Sequence, residues 1–117
     1  MSGTIFISEQ KSVTISTISF DYLLENMRDF FQGDDKRFAD DIYEQMDKQD
    51  CTFVYLDKQQ KEGFNAFARS MLNMFKEHKS EKFCISRKAT WEELIELLKT
   101  DSRCDPNIKM LFNDLHF

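Results

Sequence analysis

The pattern of hydrophobic and polar positions begins with a period of two within residues 4–18. Ile5 and Ile7, and then Val13 and Ile15, occupy alternate positions in a stretch rich in Ser and Thr, and a period of two is typical of strands with one buried face. We therefore predict two short strands joined by a hairpin around residues 9–11. The Ser and Thr content also fits phosphorylation sites or a polar tail, although the alternation favours the solvent-exposed face of a strand.

After this predicted β-hairpin, hydrophobic positions recur every three to four residues, which is the period of an α-helix. A first helix is predicted to end at Gly33, which suits a C-terminal cap. A second helix carries Phe38, Ile42 and Met46 at four-residue intervals. Because only a short polar turn separates the two, we expect an antiparallel helical hairpin within residues 21–50.

Two further segments are short and apolar enough to be strands, residues 51–56 and residues 83–85. The resulting element order, β-β-α-α-β-α-β-α-α, predicts an α+β fold. In this fold a small sheet of three to four short strands is covered by about five helices. A length of 117 residues is about one domain, so we expect residues 1–117 to form a single globular domain.

Three helix starts are predicted from capping patterns. Asp57 with Gln60 three residues later, and Thr90 with Glu93, both match a capping box. Asp105 is followed by a proline, which is tolerated in the first turn of a helix. The long helix after Asp57 is predicted to bury an apolar stripe made of Phe64, Phe67, Ala68, Met71, Leu72 and Phe75.

The amino-acid composition argues against several classes of fold and function. The chain has only 3 Gly and 1 Pro, which argues against a turn-rich β-sandwich or a phosphate-binding glycine loop. Its net charge of −5 argues against binding to nucleic acid or anionic membranes. The first residues lack the basic start and apolar run of a signal peptide, so we expect a cytoplasmic protein.

The sequence contains few residues in the patterns that catalysis or metal binding requires. Cys51, Cys84 and Cys104 are widely spaced and form no C-x-x-C pair, which predicts neither a disulfide framework nor a zinc site. His78 and His116 are the two histidines, and no hydrolase or nucleotide-binding motif occurs. We therefore expect a protein that is not an enzyme, with no catalytic residue, no metal and no cofactor.

The negative charge is concentrated in one segment. Residues 21–50 carry ten acidic and four basic side chains, a net of −6, whereas the other 87 residues carry a net of +1. Helical spacing would stack these acidic side chains along one face of each predicted helix. Two interpretations remain open, a docking surface for a basic partner and an ordinary solvated face. The candidate partner-binding residues are Asp21, Glu25, Asp29, Asp34, Asp35, Asp40, Asp41, Glu44 and Asp47.

Several features together suggest a family. They are the strand-to-helix passage CTFVYLD at residues 51–57, GFNAF at residues 63–67, TWEE at residues 90–93 and the acidic segment 21–50. In these features the sequence resembles bacterial immunity proteins that neutralise cognate toxins, including those of contact-dependent inhibition. The resemblance implies a non-catalytic inhibitor that docks on a toxin domain, often a basic nuclease, without contacting nucleic acid or membrane itself. It assigns no individual residue a role.

Two other function classes fit parts of the pattern. A phage inhibitor that mimics DNA would use the same carboxylates in place of phosphates, although most of the chain is nearly neutral. A small adaptor or dimerisation domain would instead bind through exposed aromatic side chains. The candidates for that role are Phe6, Phe53, Phe83 and Phe117.

Overall fold

A computed structural model describes residues 1–117, and its central feature is a three-stranded sheet. β1 (Ser2–Ser8) and β2 (Lys11–Ser16) form the predicted antiparallel hairpin. β3 (Phe53–Tyr55) pairs parallel to the other edge of β1, so the strand order is β2-β1-β3. The middle strand places Ile5 between Val13 and Val54, and all three side chains are buried.

Seven α-helices follow the hairpin along the chain, three of them before β3 and four after it. They are α1 (Thr17–Met27), α2 (Lys36–Ile42), α3 (Glu44–Gln49), α4 (Lys61–His78), α5 (Lys82–Ser86), α6 (Lys88–Lys99) and α7 (Pro106–Asn113). Short 3-10 turns lie at Arg28–Phe30, Gly33–Asp35 and Leu56–Lys58. The predicted α+β class, the small sheet and the single domain are confirmed.

The core is built around α4, and the predicted apolar stripe of this helix is buried throughout. Burial of each such side chain stabilises the fold by about 1.5–3 kcal/mol. Trp91 of α6 packs against Phe75 of α4, with ring centroids 5.4 Å apart. On the sheet side, a Cβ added to Gly3 would lie 2.3 Å from Cγ of Phe20. Glycine is therefore needed there for α1 to pack closely on β1.

The prediction of a strand at residues 83–85 was wrong, because this segment lies in α5. Three apolar residues fit a helical turn as well as a strand, and the tertiary environment decides between them. In the helix, Cys84 is buried in the core, while Phe83 stacks on Tyr22 with ring centroids 4.2 Å apart.

Two of the three predicted helix starts were also wrong. α4 begins at Lys61, and Asp57 lies in the 3-10 turn before it. α6 begins at Lys88, which places Thr90 inside the helix. Asp105 does cap α7, since its side chain accepts a 2.8 Å hydrogen bond from the backbone N–H of Asn107.

The predicted helical hairpin of residues 21–50 is more broken than expected. α1 ends at Met27, and Gly33 opens a 3-10 turn with a φ of 59° instead of capping that helix. The second predicted helix is divided at Tyr43, whose buried hydroxyl donates a hydrogen bond to the carbonyl of Leu24. α2 packs against α4, so the acidic segment lies against the core instead of forming the predicted antiparallel helical hairpin.

Candidate partner-binding surface

The first group of candidate acidic residues lies at α1. Asp21 and Glu25 are exposed on the helix, and Asp29 is exposed in the following 3-10 turn. Because α1 ends at Met27, the three carboxylates do not form one continuous helical stripe. Glu25 also forms an ion pair with Arg28, with 3.4 Å between Oε2 and Nε.

Asp34 and Asp35 are neighbours with different environments. Asp34 is exposed, whereas the Asp35 side chain is only 15% exposed. Nη1 of Arg69 donates to both carboxylate oxygens of Asp35, at 2.7 and 2.6 Å. The carboxylate of Asp35 therefore fastens the turn before α2 to α4 and is already occupied within the fold.

The remaining four candidates lie on α2 and α3. Asp40 is exposed, while Asp41 accepts a 2.5 Å hydrogen bond from Nε2 of Gln59. Glu44 pairs with Lys48 at 3.5 Å. The break at Tyr43 places these residues on two helices, so the predicted single stripe through Asp40, Glu44 and Asp47 is wrong.

Asp47 is held by Arg28, which lies near the end of α1. Nη2 of Arg28 donates to Oδ1 of Asp47 at 2.6 Å, and Nη1 donates to Oδ2 at 3.3 Å. These hydrogen bonds hold the pKa of Asp47 below its usual range. The same guanidinium lies 4.1 Å from the centroid of the Tyr43 ring, and it therefore joins α1 to α3.

The nine candidates thus divide into two kinds. Five of the carboxylates bind Arg28, Arg69, Lys48 or Gln59 within the fold. The other four are exposed and make no side-chain hydrogen bond or ion pair, and these are Asp21, Asp29, Asp34 and Asp40. The charge of this second group is not balanced by a basic side chain of the same fold, which leaves it free to act on charged groups outside the protein.

A group of aromatic side chains lies beside the acidic segment on the outward face of the sheet. The Phe6 and Tyr55 rings stack with centroids 5.0 Å apart, and Phe53 lies 6.0 Å from Phe6. The sequence pattern predicts a binding role for Phe6 and Phe53 only in the adaptor alternative, and it assigns none to Tyr55. Strand alternation could have found it, since Val54 faces the core and its neighbours must face outward.

A groove connects these aromatic side chains with the acidic helices. It is lined by Asp41 and Glu44 on one side and by Tyr55, Lys58 and Gln59 on the other. Residues 40–50 beside it carry five acidic side chains and one basic one. The surface therefore combines a group of aromatic side chains with a border in which acidic residues outnumber basic ones.

Cys84 and His78 belong to a different cluster near α5. The Tyr22 hydroxyl donates to Glu81 at 2.6 Å and lies 3.3 Å from Sγ of Cys84, while Nδ1 of His78 lies 2.8 Å from Glu81. Hydrogen bonds from Tyr22 and His78 lower the pKa of Glu81, and burial raises the pKa of the Cys84 thiol. A raised pKa keeps this thiol protonated and weakly nucleophilic.

No group of three or more His, Cys, Asp or Glu side chains is placed to hold a metal ion. None of the helices is both long enough and apolar enough to cross a lipid bilayer.

Comparison with known proteins gives one consistent result. No protein-family profile matches the chain. A curated protein from Burkholderia pseudomallei, the immunity protein CdiI, is 27% identical over 103 residues, which cover 88% of this chain and 94% of that protein. The chain resembles the immunity proteins of contact-dependent inhibition. The predicted resemblance is therefore confirmed.

The fold leads to the same group of proteins. The solved complex of a CdiA-CT toxin from Burkholderia pseudomallei E479 with its cognate CdiI immunity protein contains a chain that superposes on this one with a TM-score of 0.79. The two chains are 26% identical, and the match covers 88% of this chain and 99% of the other. The likeness to CdiI proteins thus extends over nearly the whole domain.

Proposed function

We propose that this protein is an immunity protein that neutralises a cognate toxin of the CdiA-CT type by binding it. The observation that carries the proposal is the similarity to CdiI, which spans 88% of the chain in both sequence and structure. Inhibition follows from occupation of the toxin surface, so the protein itself performs no reaction. It acts in the cytoplasm and binds the toxin domain there.

The acidic segment 21–50 is the surface that we propose for docking. Its net charge of −6 lies on one part of an otherwise nearly neutral domain. A nuclease toxin must attract a polyanionic substrate and therefore presents a basic surface. Opposite potentials speed encounter and disfavour wrong partners. Because the rest of the chain is nearly neutral, the charge distribution favours docking through the acidic segment. It argues against a protein that mimics DNA over its whole surface.

The first experiment tests inhibition itself. We expect a toxin domain of the CdiA-CT type to be encoded next to this gene. This domain is expressed in a sensitive host with and without this protein, and growth is followed. We expect growth to be restored only when both are present. In a purified assay, toxin activity should fall to zero at one molar equivalent and return after the complex is dissociated. Loss of activity at far lower ratios would indicate a catalytic mechanism and contradict the proposal.

The second experiment tests the surface. Charge reversal by Asp40→Lys and Glu44→Lys should weaken the complex by at least tenfold. The matched control is Glu92→Lys with Glu93→Lys, which makes the same change at exposed positions of α6 outside the segment. Equal affinities of the two double variants for the toxin, measured by calorimetry, would show that the acidic segment is not the docking surface.

A further inference from the structure

The outward face of the sheet is left open to solvent. Along β1 and β3 the inward side chains Ile5, Ile7 and Val54 are buried, whereas Phe6 and Tyr55 are half-buried and Phe53 is 37% exposed. These three aromatic residues form what we call the aromatic face, with Phe53 and Tyr55 ring centroids 6.2 Å apart. Exposed aromatic clusters are typical of interface centres, where they supply large contact areas at low entropic cost.

The acidic residues at the border of the aromatic face favour one kind of binding partner over another. α3 packs against β3, so the acidic residues 40–50 lie beside the aromatic face. A second copy of this chain, docked face to face, would place two acidic borders at the same interface. Like charges at an interface are costly. The border therefore favours a partner that is basic where it meets Asp41 and Glu44.

We propose that the aromatic face is the energetic centre of the toxin complex and receives a toxin loop that presents an arginine beside an apolar side chain. A planar guanidinium stacks on aromatic rings such as Tyr55 and donates hydrogen bonds to carboxylate oxygens. In Asp41 and Glu44 one oxygen each is bound by Gln59 or Lys48, which leaves the other oxygen free to accept. Lysine lacks this planar geometry. The inference rests on the proposed function and places the decisive contacts at one end of the acidic segment.

The kinetics of the complex separate this centre from the rest of the charged surface. Residues at the desolvated centre of an interface control dissociation, whereas charges at its periphery control association. Phe53→Ala combined with Tyr55→Ala should therefore speed dissociation from the toxin domain at least tenfold. The matched control, Met110→Ala with Leu111→Ala at exposed apolar positions of α7 outside the acidic segment and the aromatic face, should leave the dissociation rate within twofold of the unmodified value.

Surface plasmon resonance with the purified toxin domain encoded beside this gene measures both rates. Fluorescence of Trp91, the single tryptophan and wholly buried, verifies that each variant is folded. Phe53→Ser alone, at the most exposed of the three positions, serves as the second variant if the double variant unfolds, and it should speed dissociation severalfold. An unchanged dissociation rate in the folded aromatic variant would overturn the inference.

The arginine is tested by double-mutant cycles. Glu44→Gln is combined in turn with Arg→Gln substitutions on the toxin domain, and one arginine should show coupling of at least fivefold in affinity. Absence of coupling for every arginine would overturn the inference while leaving the proposed function intact. If the unmodified protein fails to bind the toxin domain at all, the proposed function fails and the inference with it.

Discussion

Arg28 and Asp47 bind each other across the junction of α1 and α3, with 2.6 Å between Nη2 and Oδ1. The two residues are 19 positions apart in the sequence. Their ion pair links the two ends of the stretch of the acidic segment that contains Tyr43. Asp47 thereby becomes part of the scaffold that positions α3 beside the aromatic face. The carboxylates of this segment therefore differ in role according to whether the fold already uses them.

Asp47→Asn should lower the free energy of unfolding by about 0.5–1 kcal/mol at pH 7, the range for a partly exposed ion pair. The folded-state pKa of Asp47 lies below its usual value. Its stabilising contribution is therefore present at neutral pH and is lost as the pH falls through this lowered pKa and the carboxylate takes up a proton. Urea unfolding followed by Trp91 fluorescence at pH 7 and pH 3 measures this. An equal difference between variant and unmodified protein at both pH values would contradict it.

The neighbouring residues Asp34 and Asp35 provide a matched pair for separating structure from surface charge. Asp35→Asn weakens the contact with Arg69 at a side chain that is 15% exposed, and we expect a loss of about 1–2 kcal/mol in unfolding free energy. Asp34→Asn removes the same charge from an exposed side chain, so its effect should stay within about 0.5 kcal/mol. Chemical denaturation of both variants is the measurement. Similar losses in the two would show that Arg69 does not discriminate between them.

Arg103 joins the loop before α7 to the rest of the fold. Its guanidinium donates hydrogen bonds to the backbone carbonyls of Ile7, Leu56 and Gln59, at 2.6, 2.7 and 2.8 Å. It also binds Asp101 and lowers the pKa of that carboxyl. Arg103→Met would leave these acceptors without their donor, and we expect a loss of about 2–4 kcal/mol in unfolding free energy.

A control for Arg103→Met is available on α7. Lys109→Met makes a comparable change at an exposed position, where the expected effect is within about 0.5 kcal/mol. Thermal unfolding monitored by circular dichroism compares the two. A melting temperature for Arg103→Met as high as that of Lys109→Met would mean that water replaces the lost hydrogen bonds without cost.

The parts of the fold that could be predicted from the sequence are those determined by residues close together along the chain. The buried stripe of α4 follows from helical periodicity alone, and every residue predicted for it is buried. No Gly or Pro marks the break between α2 and α3 at Tyr43. The break accompanies a hydrogen bond from the Tyr43 hydroxyl to Leu24, 19 residues away, and a contact at that distance is not visible in the local sequence. The segment 83–85 is too short for periodicity to distinguish strand from helix.

The candidate site shows the same division. The concentration of negative charge in residues 21–50 is a property of the sequence and could be located from it. Which carboxylates are occupied could not, because Arg69 lies 34 residues from Asp35. The grouping of Phe6 with Tyr55 likewise depends on the parallel pairing of β1 and β3, a long-range contact that strand patterns do not specify.

The unpaired carboxylates of α1 should act on the rate of encounter with the toxin. Asp21→Asn with Asp29→Asn removes two charges that have no partner in the fold, so electrostatic steering weakens while the fold is unaffected. We expect the association rate at low salt to fall severalfold. Since the Debye length shrinks to about 3 Å at 1 M salt, the difference should disappear at high ionic strength. Stopped-flow association measured from 20 mM to 1 M NaCl tests this, and a rate difference that persisted at 1 M would indicate direct contact by these residues instead of steering.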